Sequence, residues 1–163
     1  MSLPTPSAMS DDAATVLRQF RVVFNAVKTH FQQIERLSGL GGAQLWALSL
    51  VAERKGLGVG DLAEAMDIHQ STASNLVRAL VSKQLLLSTR DVHDKRVVHL
   101  EISPDGMAIL ANAPGPFSGI LPDALQKLDG ETLQRLHGDL DRLINVLGID
   151  GMSKAAQTPL ANL

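Results

Sequence analysis

What most restricts the fold is a pair of helical patterns with almost nothing between them. Apolar residues at helical spacing run from Val59 to Met66 and again from Gln70 to Lys83, and only Asp67-Ile68-His69 separate the two. Two short helices joined by three residues read as a helix-turn-helix. In the second helix Ala73, Leu76, Val77 and Leu80 line one face. Gln70, Ser71, Thr72, Ser74, Asn75 and Arg78 occupy the other, which is polar but nearly uncharged.

The next residues extend that unit. Leu85 to Arg90 and Arg96 to Ile102 are rich in Val, Leu, Ile and Thr, and the mostly polar Asp91 to Lys95 lie between them, which predicts a β-hairpin. Helix, tight turn, helix and hairpin in that order describe a winged helix-turn-helix. Its physical logic is that a helix fits the major groove of DNA and small polar side chains on its first turns reach base edges. Its leading N–H groups also attract phosphate.

Longer helices frame this unit. From Asp11 to Leu37, Val16, Phe20, Val23, Phe24, Val27, Phe31 and Ile34 recur at threes and fours, predicting one amphipathic helix. Ser38-Gly39-Leu40-Gly41-Gly42 ends it, and a helix from Ala43 to about Arg54 follows. Ser103-Pro104 is a strong start for a helix reaching about Ala113, where Pro114-Gly115-Pro116 stops it. A short helical piece is expected at 122–128. Asp129 then caps a last helix to Leu147 with Leu133, Leu136, Leu140, Leu143, Ile144 and Leu147 on one stripe. The predicted fold class is therefore mainly α with a small β-hairpin wing. One domain spans 11–147, with a winged helix-turn-helix at 43–103 and helical dimerisation regions at 11–37 and 104–147. Residues 1–10 and 148–163 carry no pattern and are expected to be flexible tails.

Composition removes several alternatives. At 163 residues, 45% of them hydrophobic, one sizeable core is affordable and two independent domains are not expected. With no cysteine, there are no disulfides, thiolate nucleophiles or thiol redox sensing. Neither a basic leader at Met1 to Ser10 nor a run of about eighteen apolar residues is present, so the expectation is a cytoplasmic chain without a membrane partner. The net charge is -2 and the pI near 6.2, but charge is unevenly spread. Between His69 and Ser103, Arg78, Lys83, Arg90, Lys95 and Arg96 outnumber Asp91, Asp94 and Glu101, a local +2.

Three stretches of this sequence resemble the MarR family of transcriptional regulators: Asp61-Leu62-Ala63-Glu64 with Asp67-Ile68, then Ser71 to Val77, then Thr89 to Arg96 with Ile102 to Gly106. Asp94-Lys95-Arg96 at the wing tip is the most specific part. The resemblance implies a homodimer built from interlocked first and last helices. It also implies a recognition helix in the major groove of a palindromic operator on double-stranded DNA, a wing on the minor groove and, in many relatives, release by a small aromatic ligand. The recognition-helix residues are then Gln70, Ser71, Thr72, Ser74, Asn75 and Arg78, and the wing residues Arg90, Asp94, Lys95 and Arg96. Asp94 and Arg96, two apart, are expected on one side of the hairpin, the carboxylate holding the guanidinium extended. One departure concerns the recognition-helix start, where His69-Gln70 stand in place of the family's common Ser or Thr cap. Ser71 is the alternative cap, one step later.

No cofactor, metal site or enzyme activity is expected. The five histidines lack metal-ligand spacing, and no nucleophile, base and orienting group share a motif. His30 and Trp46 are candidates for an effector pocket, with plain packing as the alternative. The acidic pI and weakly charged recognition face also fit a second reading, a winged-helix protein-interaction module without DNA binding.

Overall fold

The computed structural model describes residues 9–94, 97–149 and 154–162. Helix α1 (Asp11–Ser38) is capped by Ser10, whose hydroxyl accepts from the Ala13 N–H at 3.2 Å, and ends on Gly39 at φ 70°. Then come α2 (Gly42–Glu53), α3 (Val59–Met66) and α4 (Gln70–Ser82), followed by an antiparallel hairpin of β1 (Leu86–Arg90) and β2 (Val98–Ile102). Its register pairs Leu86 with Ile102 and Arg90 with Val98. A bridge between Leu57 and Leu100 adds the α2–α3 loop to its edge, the Leu100 N–H donating to the Leu57 carbonyl at 3.0 Å.

Helices α5 (Pro104–Asn112), α6 (Ile120–Gln126) and α7 (Gly130–Val146) complete the order. The cap signals act as their chemistry predicts. Ser103 accepts from the Gly106 N–H at 3.0 Å, and the Asp129 carboxylate accepts from both the backbone and hydroxyl of Thr132 at 2.8 Å each. Those Thr132 bonds, the backbone one first, hold the Asp129 carboxyl below the ordinary aspartate range. The short helix α6 begins two residues earlier than the pattern implies, at Ile120 after Gly119 in a positive-φ conformation.

The core lies in the middle of the chain. Among the described residues the buried core of aliphatic side chains runs from Ile34 to Leu100, with Leu45, Leu48, Leu62, Leu80, Leu86 and Leu100 among the largest. Helix α2 is buried on nearly all sides, so it shows little amphipathic pattern of its own and serves as the post on which α3, α4, β2 and α5 pack. Gly106 lets α5 approach the hairpin, because a Cβ there would stand 2.5 Å from the Leu85 carbonyl oxygen and 2.8 Å from Ile102 Cγ1.

The end helices differ. Of α1 only Ile34 is buried, and of α7 no residue is. Val16, Val23, Phe24, Leu37, Leu136, Leu140 and Leu143 all remain exposed. Gly138 meets nothing within 4 Å at its Cβ position.

Part of the segment expected to be patternless is built into the fold. Residues Lys154–Gln157 and Leu160–Asn162 form 3₁₀ turns, and Ala161 packs beside Gly42 and Phe31. No periodicity signalled this, because single residues make the contact: Pro159 is buried, and Ala161 shares with the Phe31 ring the room that Gly42 leaves.

Candidate nucleic-acid interface

The helix expected to read DNA is α4, and its orientation follows from its buried face. Ala73, Leu76, Val77 and Leu80 are in the core, which turns Gln70, Ser71, Asn75 and Arg78 to solvent. Thr72 and Ser74 are half-buried on the flanks. The Ser74 hydroxyl donates to the Gln70 carbonyl at 2.9 Å, so its proton is committed within the helix while its oxygen can still accept. Arg78 Nη1 donates to Asn75 Oδ1 at 3.0 Å, leaving the Asn75 amide NH₂ facing outward as a donor. This one-turn pair was not foreseen, although spacing of three on a helix is its signal.

The start of α4 corrects the sequence-based alternative. His69 is the cap, in an extended conformation at φ -61° and ψ 144°, and its side chain makes no cap bond. Ser71 lies inside the first turn and does not cap. Asp67 at φ 52° stops α3, and the Ile68 N–H returns to the Ala63 carbonyl at 3.0 Å, so the three-residue turn leaves no room to delay the next helix. The first N–H groups of α4 therefore have no side-chain cap from His69, which suits an approaching phosphate.

Beside α4 runs an open groove lined by Glu35, Gln44, Thr72, Asn75 and Lys83. Lys83 Nζ donates to Gln44 Oε1 at 3.3 Å across it, tying the end of α4 to the first turn of α2.

In the wing, Arg90 is exposed at the end of β1 and Asp94 lies in the turn. Lys95 and Arg96 are outside the described residues. The turn is organised by Asp91, a residue sequence reasoning passed over. Its Oδ1 accepts from the His93 N–H at 2.7 Å and the Asp94 N–H at 3.1 Å, while Oδ2 stands 3.1 Å from His99 Nε2. His99 Nδ1 is 3.2 Å from the Gly56 carbonyl oxygen. The His99 bond first, then the two amides, hold the Asp91 carboxyl below the usual carboxylate range. The same bond, then Gly56, raises the His99 imidazole above its ordinary value. His99 entered the sequence reading only as one of five histidines without metal spacing. Its partners lie 8 and 43 residues away, beyond any local signal.

A cavity of about 290 Å³ opens between α1, α2 and α3 and is lined by Phe31, Trp46, Met66, Phe117 and the 3₁₀ turns. Trp46 lines it and packs against the core. His30 turns away, its Nε2 lying 3.2 Å from the Pro116 carbonyl oxygen. Among the described residues no group of three potential ligands could hold a metal ion, and no helix is long and apolar enough to cross a membrane.

Comparison with known proteins points one way. Residues 42–98 match the model of the MarR family, covering α2 to the start of β2. The HTH-type transcriptional repressor MdtR of Bacillus subtilis (strain 168) is 24% identical over 86 residues, which is 53% of this chain and 56% of that protein. The chain thus spans about half the length of that relative. Among solved structures, the MarR family transcriptional regulator Sco3205 of Streptomyces coelicolor, in complex with DNA, matches with a TM-score of 0.58 and 21% identity, covering 88% of this chain and 91% of that one. The S. aureus MepR-DNA complex matches at TM-score 0.53 and 17% identity over 86% of this chain and 99% of its own. At these identities the structures establish a shared winged-helix fold.

Proposed function

We propose that this chain is a member of the MarR family and, from that premise, a dimeric, sequence-specific DNA-binding transcriptional regulator of the cytoplasm, acting as a repressor and without enzyme activity. The observation that carries the reading is the split character of α4. One face is held in the core by Leu76 and Leu80, and the other offers Gln70, Ser71, Asn75 and Arg78 without bulk or net repulsion of phosphate. Arg90, Asp94, Lys95 and Arg96 form the second contact, on the wing.

The exposed stripes of α1 and α7 support the dimer. The charged residues of α7 pair along their own helix, Arg135 with Glu131 and Arg142 with Asp139, and such exposed pairs hold nothing else together. The leucines opposite are not buried by any of the described residues. A two-fold axis joining two such stripes sets two recognition helices about one turn of DNA apart and favours a palindromic site. A small aromatic ligand in the cavity beside Trp46 is the release signal this reading adds, and its binding is to change Trp46 fluorescence and DNA affinity together.

The test is binding to sheared duplex DNA over a salt series. Affinity that falls steeply with log salt is the expected result. Absence of binding at low salt overturns the reading and favours a winged-helix protein-interaction module, which the acidic pI would then explain.

A further inference from the structure

The wing's turn is joined to the α2–α3 loop through the ring of His99. We propose that His99 is the positioning residue of the wing, acting as an imidazolium that bridges Asp91 and the Gly56 carbonyl, so that the wing's grip on DNA is linked to a proton. The link to DNA rests on the function proposed above; the bridge itself does not.

The argument starts from the chemistry of the two contacts. A backbone carbonyl can only accept a hydrogen bond, and an ionised carboxylate can only accept. His99 Nδ1 faces the first at 3.2 Å and Nε2 faces the second at 3.1 Å. Neutral imidazole carries one N–H, so either tautomer satisfies one contact and turns a lone pair against an oxygen in the other. Only the cation donates to both. Asp91 is at the same time bound by the turn's own amides, so its charge is committed to the turn on one oxygen and to His99 on the other. Carboxylate, ring and loop thus form a chain from the wing tip to the α2–α3 loop. The Leu57–Leu100 bridge reinforces it from the neighbouring residues.

The acidic groups near the ring act in the same direction. Asp91 and Glu101 on the hairpin both favour the cation, whereas Arg54 and Lys55, which precede Gly56 in the loop, are like charges that oppose it without reversing the direction of the shift. His99 is raised in the folded protein, so the interaction is fully present below the ordinary histidine value of about 6.5 and is lost as pH rises through the raised value. Asp91 is depressed, so the bridge is also lost in acid, as pH falls through a value below the ordinary carboxylate range. The bridge is complete only between these limits.

The experiment uses the full chain, the variants His99→Gln and Asp91→Asn, and a random-sequence duplex as probe, between pH 6 and pH 9 at fixed salt. By NMR, the His99 ring is to titrate above the ordinary value and the His93 and Asp94 amide protons are to follow it. Asp91→Asn is to bring the His99 titration down. Duplex affinity is to fall about two- to fivefold from the low to the high end. His99→Gln is to abolish that fall and bind as the parent does at high pH. A His99→Gln protein that keeps the parent's pH dependence overturns the link and transfers it to His69 or His93. Amides of His93 and Asp94 that ignore the His99 titration overturn the bridge. If no duplex binds at any pH, the function reading fails while the NMR titration still decides the bridge. Should His99→Gln not fold, Asp91→Asn carries the same comparison.

Discussion

The winged helix and the helices that frame it are written in the same hydrophobic code and treat it in opposite ways. Between Leu40 and Leu100 the periodic apolar residues are buried, most of them almost completely. Along α1 and α7 the same spacing leaves Phe24 66% exposed and Leu143 39% exposed. Both regions are regular, so propensity does not separate them. A stripe announces that a face wants cover, and only packing says whether the chain supplies it. Where it does not, the dimer proposed above has a second copy supply the cover, and the comparison becomes a claim about assembly.

The strongest way to break that claim is to charge the stripe. Leu140→Glu with Leu143→Glu is expected to leave helicity unchanged by circular dichroism and to produce a monomer in sedimentation. DNA affinity should fall by about 100-fold or more, because two linked half-sites are lost to independent binding. A dimer that survives both charges would end the comparison.

Cutting the core should act in the opposite way. In that monomeric background Leu80→Ala, at a fully buried position, is expected to cost about 2–5 kcal/mol in urea unfolding. Phe24→Ala should cost less than about 0.5 kcal/mol there, since its ring is exposed in a single chain. In the dimeric parent Phe24→Ala should instead weaken association. At the seam between the regions, Gly106→Ala would drive a methyl against the Leu85 carbonyl and is expected to cost about 1–3 kcal/mol by the same measurement.

The smaller effects lie on the proposed DNA face. Asn75→Ala should lose about 1–3 kcal/mol of discrimination between a selected operator and random duplex, with random binding spared. The amide that faces outward is held by Arg78, so Arg78→Ala should reduce discrimination as well, by a smaller amount. Arg90→Ala and Arg96→Ala should weaken all sequences alike and flatten the slope of log K against log salt by about one unit or less per chain. Equal loss on both DNAs for Asn75→Ala would mean that the register of α4 on the bases is different.

Element order and most boundaries were legible because their causes are local. Ser10, Ser103 and Asp129 cap helices through bonds within three residues, and Asp67 with Ile68 closes α3 within its own last turn. The polar side of α4 could be read for the same reason, since a helix fixes which residues share a face. Its start was harder: a capping rule allowed Ser71, while the backbone reversal at Asp67 left only His69.

By itself, then, the sequence determined that this is a mainly helical chain with a hairpin wing, a helix with one polar face and two amphipathic end helices. Each of these is a periodicity or a cap decided within a few residues. Only the tertiary structure decided that Asp91, His99 and Gly56 meet, that Trp46 lines a cavity from which His30 turns away, and that Ala161 fills the space beside Gly42. Such contacts join residues tens of positions apart, and their partners are chosen by the packing of α2 against its neighbours. No pattern along the chain encodes that choice, because the energy that makes it is shared among the whole core.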